Sequence, residues 1–462
     1  MPDQASRFEH WRPVLWVFLI GVALRLIGLG EWSLWEDEET TIYFSYHPTQ
    51  TFPRAFPTFF RLLGQLYAYT GCSVLAGRLL AAALGSLSLA LTYAVVRRFA
   101  GPRIAVIALA IVAVSPGHLF WSQSIRYYGL ALCLQLAGIW LLLEGLARRR
   151  AILALLSLVP IYFAVTAHIS ALLLVPVCAL YLGWQLARNG TRRQVAATGA
   201  FFLLGTGILI AKWWHLIVIV LTANDAVWLV GSARDPVHVL ATGVFYFGLP
   251  ALALAVIGGW QQWKGSARRE VLFFALLATV PSATLIGIAT LNVVNVTYYY
   301  GLVSLVGVAV FAGYGAESLG GWSRPIRLAL VGASVCYYLV VIGAYFLTSH
   351  GDRPRWREAT AHLSAARAAS GESQQIHAQV PGVVAFYLGV PPSQTMGHPE
   401  VLKWRAAAPP SSRPGGWYVT EERVVTSTDR VWLNAHCVSS ARFPSRMLMR
   451  DRTVGVYRCV AD

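Results

Sequence analysis

Carboxylates are scarce in this sequence: 21 Asp and Glu stand against 37 Lys and Arg in 462 residues. All charged residues together reach 13%, about half the share of a soluble domain. That shortage excludes an ordinary soluble chain, because 56% of the residues are hydrophobic and they fall in long runs. The net charge of +16 points toward nucleic acid, yet the basic residues form no single patch or stripe, so no nucleic-acid partner is expected. Cysteine is sparse, six in all, with none of the spacings that hold zinc. Cys133, Cys178 and Cys336 lie in apolar runs as inert core residues. Cys437 and Cys459 share a polar C-terminal region, where a disulfide can form if that region faces outside. The first apolar run has no small-residue cleavage site after it and reads as a retained span. Transporter-type repeats and low-complexity tracts are missing too.

What remains is a polytopic α-helical membrane protein with about eleven spans of the length a bilayer requires. They run approximately over 13–29, 76–97, 103–119, 126–146, 151–167, 169–187, 195–214, 238–260, 271–291, 297–319 and 326–347. Basic clusters fall in every second short loop: Arg97, Arg98 and Arg103; Arg148 to Arg150; Arg188, Arg192 and Arg193; Lys264, Arg268 and Arg269; Arg324 and Arg327. The positive-inside rule places these loops and the N-terminus in the cytoplasm. Loops 30–75, 115–125, 215–237 and 292–296 then face outside, as does the tail. The division predicted is a membrane domain over 1–347 and a small extracytoplasmic α/β domain over 348–462.

The first external loop, 30–75, carries "LWEDEETT", in which Glu36, Asp37, Glu38 and Glu39 are consecutive. Behind it, "TFPRAFPTFFRLLGQLYAYT" repeats Phe56, Phe59, Phe60, Leu63, Leu66 and Tyr67 at helical spacing, which predicts a helix lying apolar face down in the membrane interface. "KWWH", 212–215, marks the outer end of the seventh span. In the tail, 355–370 reads as a helix stopped by Gly371, and "QQIHAQV", "GGWYVT" and "TVGVYRCV" read as strands, with "DRVWLNAHC" helical between.

The outward-facing polar residues gather at one membrane depth. They are Asp37 and Glu38, Arg126 and Tyr127 from "WSQSIRYYGL", His168 from "AHIS", then Lys212, His215, Asn224, Asp225, Arg234 and Asp235. Ionisable groups at helix ends beside a cavity are a functional site by default. Carboxylates beside cations and a His suit acid/base work on an anionic substrate. The plainer alternatives stay open. Acids in a first turn cap helices, Arg126, Lys212 and Arg234 can anchor at the interface, and His168 can be a packed, hydrogen-bonded residue. Arg25, inside the first span, can snorkel or hold phosphate.

"LWEDEETTIYFS" resembles the first-loop motif of the GT-C glycosyltransferases, in the branch of protein O-mannosyltransferases, lipid A aminoarabinose transferases and lipid A galacturonosyl transferases. "SQSIRYYGL", "TAHISALLL" and "DRPRWREATAHLSA" resemble further stretches of those enzymes, in the same order. The resemblance implies an inverting transfer of one sugar from a polyprenyl-phosphate donor to a cell-envelope acceptor (lipid A, glycan, lipid or protein) outside the cytoplasmic membrane. It implies Asp37 as the base that deprotonates the acceptor, and Glu38 as a substrate-binding neighbour. Arg126, with Tyr127, His168, Lys212 or Arg234, would bind substrate and its departing phosphate. Relatives open the tenth span with Arg-Tyr, whereas this chain has Thr297 before Tyr298, so another cation must serve or the donor head differs. Relatives also differ in metal use, and Mg²⁺ or Mn²⁺ fits an acidic cluster. Glu36 and Glu39 are expected to be a solvated flank, and the tail a lid or acceptor-binding module. The competing reading is a transporter or flippase of lipid-linked sugars; it predicts charges at the midplane and paired broken helices.

Overall fold

The structure, a computed structural model, describes residues 4–189, 236–264, 269–291, 296–371, 374–404, 414–447 and 450–460, with scattered positions between 193 and 214. Lys212 and Arg234, with most of the expected span 195–214, lie outside the described residues.

Helix α1 (Gln4–Leu26) is followed by α2 (Glu36–Tyr46), whose first turn is the run of four acids. The unpaired N–H groups and dipole of a helix start make that turn electropositive, and no side chain caps it otherwise. Helices α3 (Thr51–Ala55) and α4 (Pro57–Thr70) come next, α4 opening on a proline whose missing N–H costs nothing there. The apolar stripe of α4 does not lie on lipid as expected. Phe59, Phe60 and Leu63 are fully buried, and Phe60 packs on Phe44 of α2 and on Tyr127. The protein's own interior covers the stripe because α2 folds back beneath it.

The bundle continues with α5 (Val74–Phe99), α6 (Pro102–Val114), α7 (Pro116–Ser122) and α8 (Tyr128–Ala147). Then come α9 (Ala151–Leu156), α10 (Leu158–Ala167), a 3-10 turn at Ile169–Leu173 and α11 (Leu174–Asn189). Beyond the undescribed stretch follow α12 (Pro236–Phe247), α13 (Leu249–Lys264), α14 (Arg269–Thr290), a 3-10 turn at Tyr298–Gly301, α15 (Ser304–Ser318) and α16 (Arg324–Leu347).

Among the described residues, four helices are long and apolar enough to cross a membrane, α5, α8, α14 and α16, or six if each bent pair counts once. Two expected straight spans are broken. Run 103–119 bends by 65° between α6 and α7, where Pro116 cannot donate the next helical hydrogen bond. Run 238–260 bends by 88° between α12 and α13, at Gly248, whose φ of 86° lies in the left-handed region. Runs 151–167 and 169–187 are likewise assembled from shorter pieces. Helices α13 and α15 cross so closely that a Cβ on Gly258 would meet the Phe311 carbonyl at 2.0 Å. Small residues at such crossings are how helices pack in lipid, where no hydrophobic drive between them exists.

The C-terminal part opens with α17 (Trp356–Ser370), stopped by left-handed Gly371 as the sequence predicts. Strands β1 (Ile376–Ala378), β2 (Val401–Lys403), β3 (Gly416–Glu421), β4 (Cys437–Phe443) and, at the end of the chain, Val454–Cys459 form a sheet. Its order is β2, β1, β3, the last strand, β4; β1 runs parallel to β2 and β3, while the last strand is antiparallel to β3 and β4. Cys437 and Cys459 are opposite each other on neighbouring strands and are disulfide-bonded. One continuous apolar core runs from the bundle into this part through Trp32, Trp356 and Val383.

Candidate active site

The first turn of α2 aims its four acids in four directions, and the structure treats each differently. Asp37 keeps 33% of its side chain exposed. One carboxylate oxygen stands 3.6 Å from Nη2 of Arg126. Arg126 is held from several sides. Its Nη1 donates to the Asp37 carbonyl at 3.0 Å and to Thr41 Oγ1 at 2.8 Å, and its Nη2 donates to the Tyr127 hydroxyl at 2.5 Å. Its Nε has no partner among the described residues. The guanidinium lies 4.4 Å from the Tyr127 ring centroid, a cation–π contact.

His168 stacks on Tyr127 at 4.4 Å and 13°, with its Nδ1 2.7 Å from Ser170 Oγ. Tyr300 approaches His168 at 5.3 Å, and Tyr299 packs on Trp121 at 4.6 Å. So the stretch "TYYYGL", which lacks the expected Arg, supplies two half-buried tyrosines to the wall around Arg126. The fold thus gathers Asp37, the adjacent pair Arg126 and Tyr127, and His168 from three separate segments into one place. His168 and Tyr127 are 5% and 2% exposed, so they back the site rather than open onto it.

Glu38 was expected to bind substrate, but it has no exposed surface to offer one. Arg78 grips it twice, Nε to Oε1 at 2.9 Å and Nη2 to Oε2 at 2.7 Å. Arg353 adds a 3.4 Å contact to Oε2, and the Ile125 N–H donates to Oε1 at 3.0 Å. Burial pushes the Glu38 carboxyl up, but the charges of Arg78 and Arg353 and their hydrogen bonds outweigh it and hold the group below the usual carboxylate range. Both arginines are fully buried as well. Arg78 also donates to the carbonyls of Leu29, Trp32 and Ser33. Arg353 donates to Gly351, to the Gln123 carbonyl and to Ser124 Oγ. Glu38 therefore ties together the first loop, α5, the 121–126 segment and the start of the C-terminal part. Sequence reasoning missed both arginines. Arg353 stood in the quoted "DRPRW" stretch, while Arg78 gave no signal beyond a cation at the outer end of a span.

Glu39 is 4% exposed, not part of a solvated flank. It accepts a hydrogen bond from Thr395 Oγ1 and presses against Gly382, whose absent side chain makes the room. Burial pushes its carboxyl up to about 7, against the Thr395 hydrogen bond. Glu36 is exposed as expected, with the protein beside it still desolvating its carboxyl in part. That setting, with Asp37 and Glu421 adding repulsion and Arg452 and Lys403 opposing it, pushes its carboxyl up to about 7. A carboxyl raised in the folded state favours folding at low pH. Glu39 stabilises the protein fully below its unfolded pKa, about 4.3, and this contribution is lost as pH rises through about 7. Glu39→Gln is expected to flatten the fall of thermal midpoint between pH 5 and pH 8, measured by unfolding in detergent. An unchanged pH slope would show that Glu39 is not the titrating group.

Among the described residues, no three His, Cys, Asp or Glu side chains converge as a metal site. Glu36 and Asp37 are neighbours in the first turn of α2, and the charge of Asp37 helps push the Glu36 carboxyl up. Arg25 neither snorkels nor meets the cleft; it is fully buried between α1 and α6.

The bundle also holds an apolar groove of about 1030 Å³. Leu240, Phe247, Val256, Leu272, Ile286 and Tyr298 are among its walls. Tyr298, on the groove, directly precedes Tyr299 and Tyr300 in the chain.

No family model matches the sequence, and no curated protein matches it. Solved structures do. The archaeal oligosaccharyltransferase AglB from Archaeoglobus fulgidus, in complex with an inhibitory peptide and a dolichol-phosphate, aligns at TM-score 0.56 and 11% identity over 91% of this chain and 70% of that one. ArnT from Cupriavidus metallidurans bound to undecaprenyl phosphate aligns at TM-score 0.53 and 12% identity over 96% of this chain and 97% of that one. The same ArnT in its apo state gives 0.55 and 13%, over 98% of both chains. At such identities only the fold is shared, and it is shared over more than nine-tenths of this chain: the chain has the fold of these AglB and ArnT structures.

Proposed function

We propose that this protein is an inverting glycosyltransferase of the cytoplasmic membrane, drawing one sugar from a polyprenyl-phosphate donor. The N-terminus is cytoplasmic in this reading, and the C-terminal part, 348–462, faces the outside. The observation that carries it is Asp37: a partly exposed carboxylate at a helix start, 3.6 Å from the one cation that α8's entrance presents. The shared fold with proteins whose solved complexes hold dolichol-phosphate and undecaprenyl phosphate supports the donor class. The apolar groove beside Tyr298 supports a long isoprenoid tail.

In the reaction, Asp37 takes the proton from the acceptor nucleophile. The freed electron pair attacks the anomeric carbon from the face opposite the phosphate. The bond from carbon to phosphate oxygen breaks, its electrons stay on that oxygen, and the configuration inverts. Arg126, with its Nε unpartnered, meets the charge that grows on the leaving phosphate, as preorganised cations do in group transfer. Lys212 and Arg234 are proposed as further phosphate ligands. Glu38 is proposed to bind no substrate itself and to hold α2 so that Asp37 faces the cleft. A divalent cation, Mg²⁺ or Mn²⁺, would find Glu36 and Asp37 as carboxylate ligands and would add positive charge at the phosphate. The acceptor is a cell-envelope molecule (lipid A, another glycan, a lipid or a protein) bound between α2 and the C-terminal sheet.

The test is mass spectrometry of envelope glycans from cells with and without the protein. One sugar residue is expected to be missing without it. Identical profiles, together with passage of labelled lipid-linked sugar across proteoliposomes lacking any acceptor, would replace this reading with a flippase.

A further inference from the structure

Arg25 is a cation in the wrong place for an anchor. It sits inside α1 with no exposed surface, and no carboxylate lies within ion-pair reach among the described residues. A buried charge without a counter-charge is expensive, so its position needs a reason. Its contacts supply one. Nη1 donates to the Gly21 carbonyl at 2.6 Å and to the Ala113 carbonyl at 3.2 Å, and Nη2 reaches the Val112 carbonyl at 3.5 Å. Val112 and Ala113 are the last turn of α6, directly before the 65° break. Carbonyls at a helix C-terminus have no helical donors and carry the negative end of the dipole, which a cation stabilises.

Nη2 of Arg25 also lies 2.7 Å from His118 Nδ1. An arginine can only donate, so Nδ1 accepts, and the ring proton sits on Nε2, facing Ser88 Oγ at 2.8 Å. His118 belongs to α7, the helix after the break. One guanidinium thus grips both sides of the bend. Beyond α7, Gln123 donates to the carbonyls of Leu24, Arg25 and Ile27. Three residues later comes Arg126.

We infer that Arg25 is a positioning residue: by clamping the α6–α7 bend to the end of α1, it sets where segment 121–126 presents Arg126 to a polyprenyl phosphate. The ligand identity rests on the function proposed above; the clamp itself does not.

Two measurements separate these. The first uses no ligand. Trp121, packed against Trp35, Tyr128 and Tyr299, is read by ¹⁹F NMR of fluorotryptophan-labelled protein, its resonance identified by loss in Trp121→Phe. Arg25→Met is expected to move that resonance, and Arg25→Lys, which can still donate to the carbonyls, to restore most of it. The second compares binding of undecaprenyl phosphate with that of undecaprenol. Arg25→Met is expected to cut the phosphate-dependent gain by on the order of 100-fold, the scale of a small remote misplacement, and to leave undecaprenol binding unchanged. A Trp121 resonance at its wild-type position in Arg25→Met, with only the thermal midpoint lowered, would overturn the clamp. A moved resonance in a protein whose wild type does not distinguish the two lipids would keep the clamp and reject the donor.

Discussion

Asp37→Asn is expected to lower sugar transfer by about a hundred- to ten-thousand-fold, the range a general base contributes. The substitution keeps the shape of the side chain and removes its basicity. The backbone bonds around it survive, because Arg126 and Thr41 both donate to the Asp37 carbonyl, not to its carboxylate. The thermal midpoint in detergent should therefore stay close to wild type, and undecaprenyl phosphate should still bind. The decisive measurement is turnover of a defined polyprenyl-phosphate sugar by purified protein. Retained turnover with a folded variant would remove Asp37 as the base and leave Glu36, exposed in the same helical turn, as the next candidate.

The second large effect is on stability. Glu38→Ala leaves Arg78 and Arg353 buried with their shared counter-charge gone. Removing one partner of a buried ion pair costs about 3–5 kcal/mol, a large part of a protein's total stability. The loss should be selective in place. Arg353 joins the C-terminal part to the 121–126 segment, and its carbonyl accepts from Ser445 Oγ. Limited proteolysis is expected to cut first near 348–355 in the variant. Glu36→Ala, at an exposed position, should leave stability near wild type. Four neighbouring acids are thus expected to respond unequally: chemistry at Asp37, folding at Glu38, pH response at Glu39, and a weaker, solvent-screened pH response at Glu36. A uniform response would contradict the site described here.

The wide difference between Asp37 and Glu38 also explains how a chain with so few acids uses them. A helix start favours carboxylates in general, whichever residue carries them. Which of them faces water is set by the helical turn of about 100° per residue and by what packs on each side. Glu38 turns inward to α5, Glu39 toward Thr395 and Gly382, and Asp37 toward Arg126.

Local features of this protein were legible in the sequence, since they arise from neighbours along the chain. Apolar runs mark membrane helices, Gly371 stops α17, and four acids open α2. The joining of Asp37 with Arg126, Tyr127 and His168 was also within reach, because the loop alternation put them on one side. The breaks at Ser115 and Gly248 were not, since hydropathy counts apolar residues and is blind to the direction of the backbone. Nor were the ion pairs of Glu38. Its partners stand 40 and 315 residues away, and no periodicity links positions so far apart. Burial decided them: inside a low-dielectric interior each charge must find a counter-charge, and only the folded chain determines which ones are near.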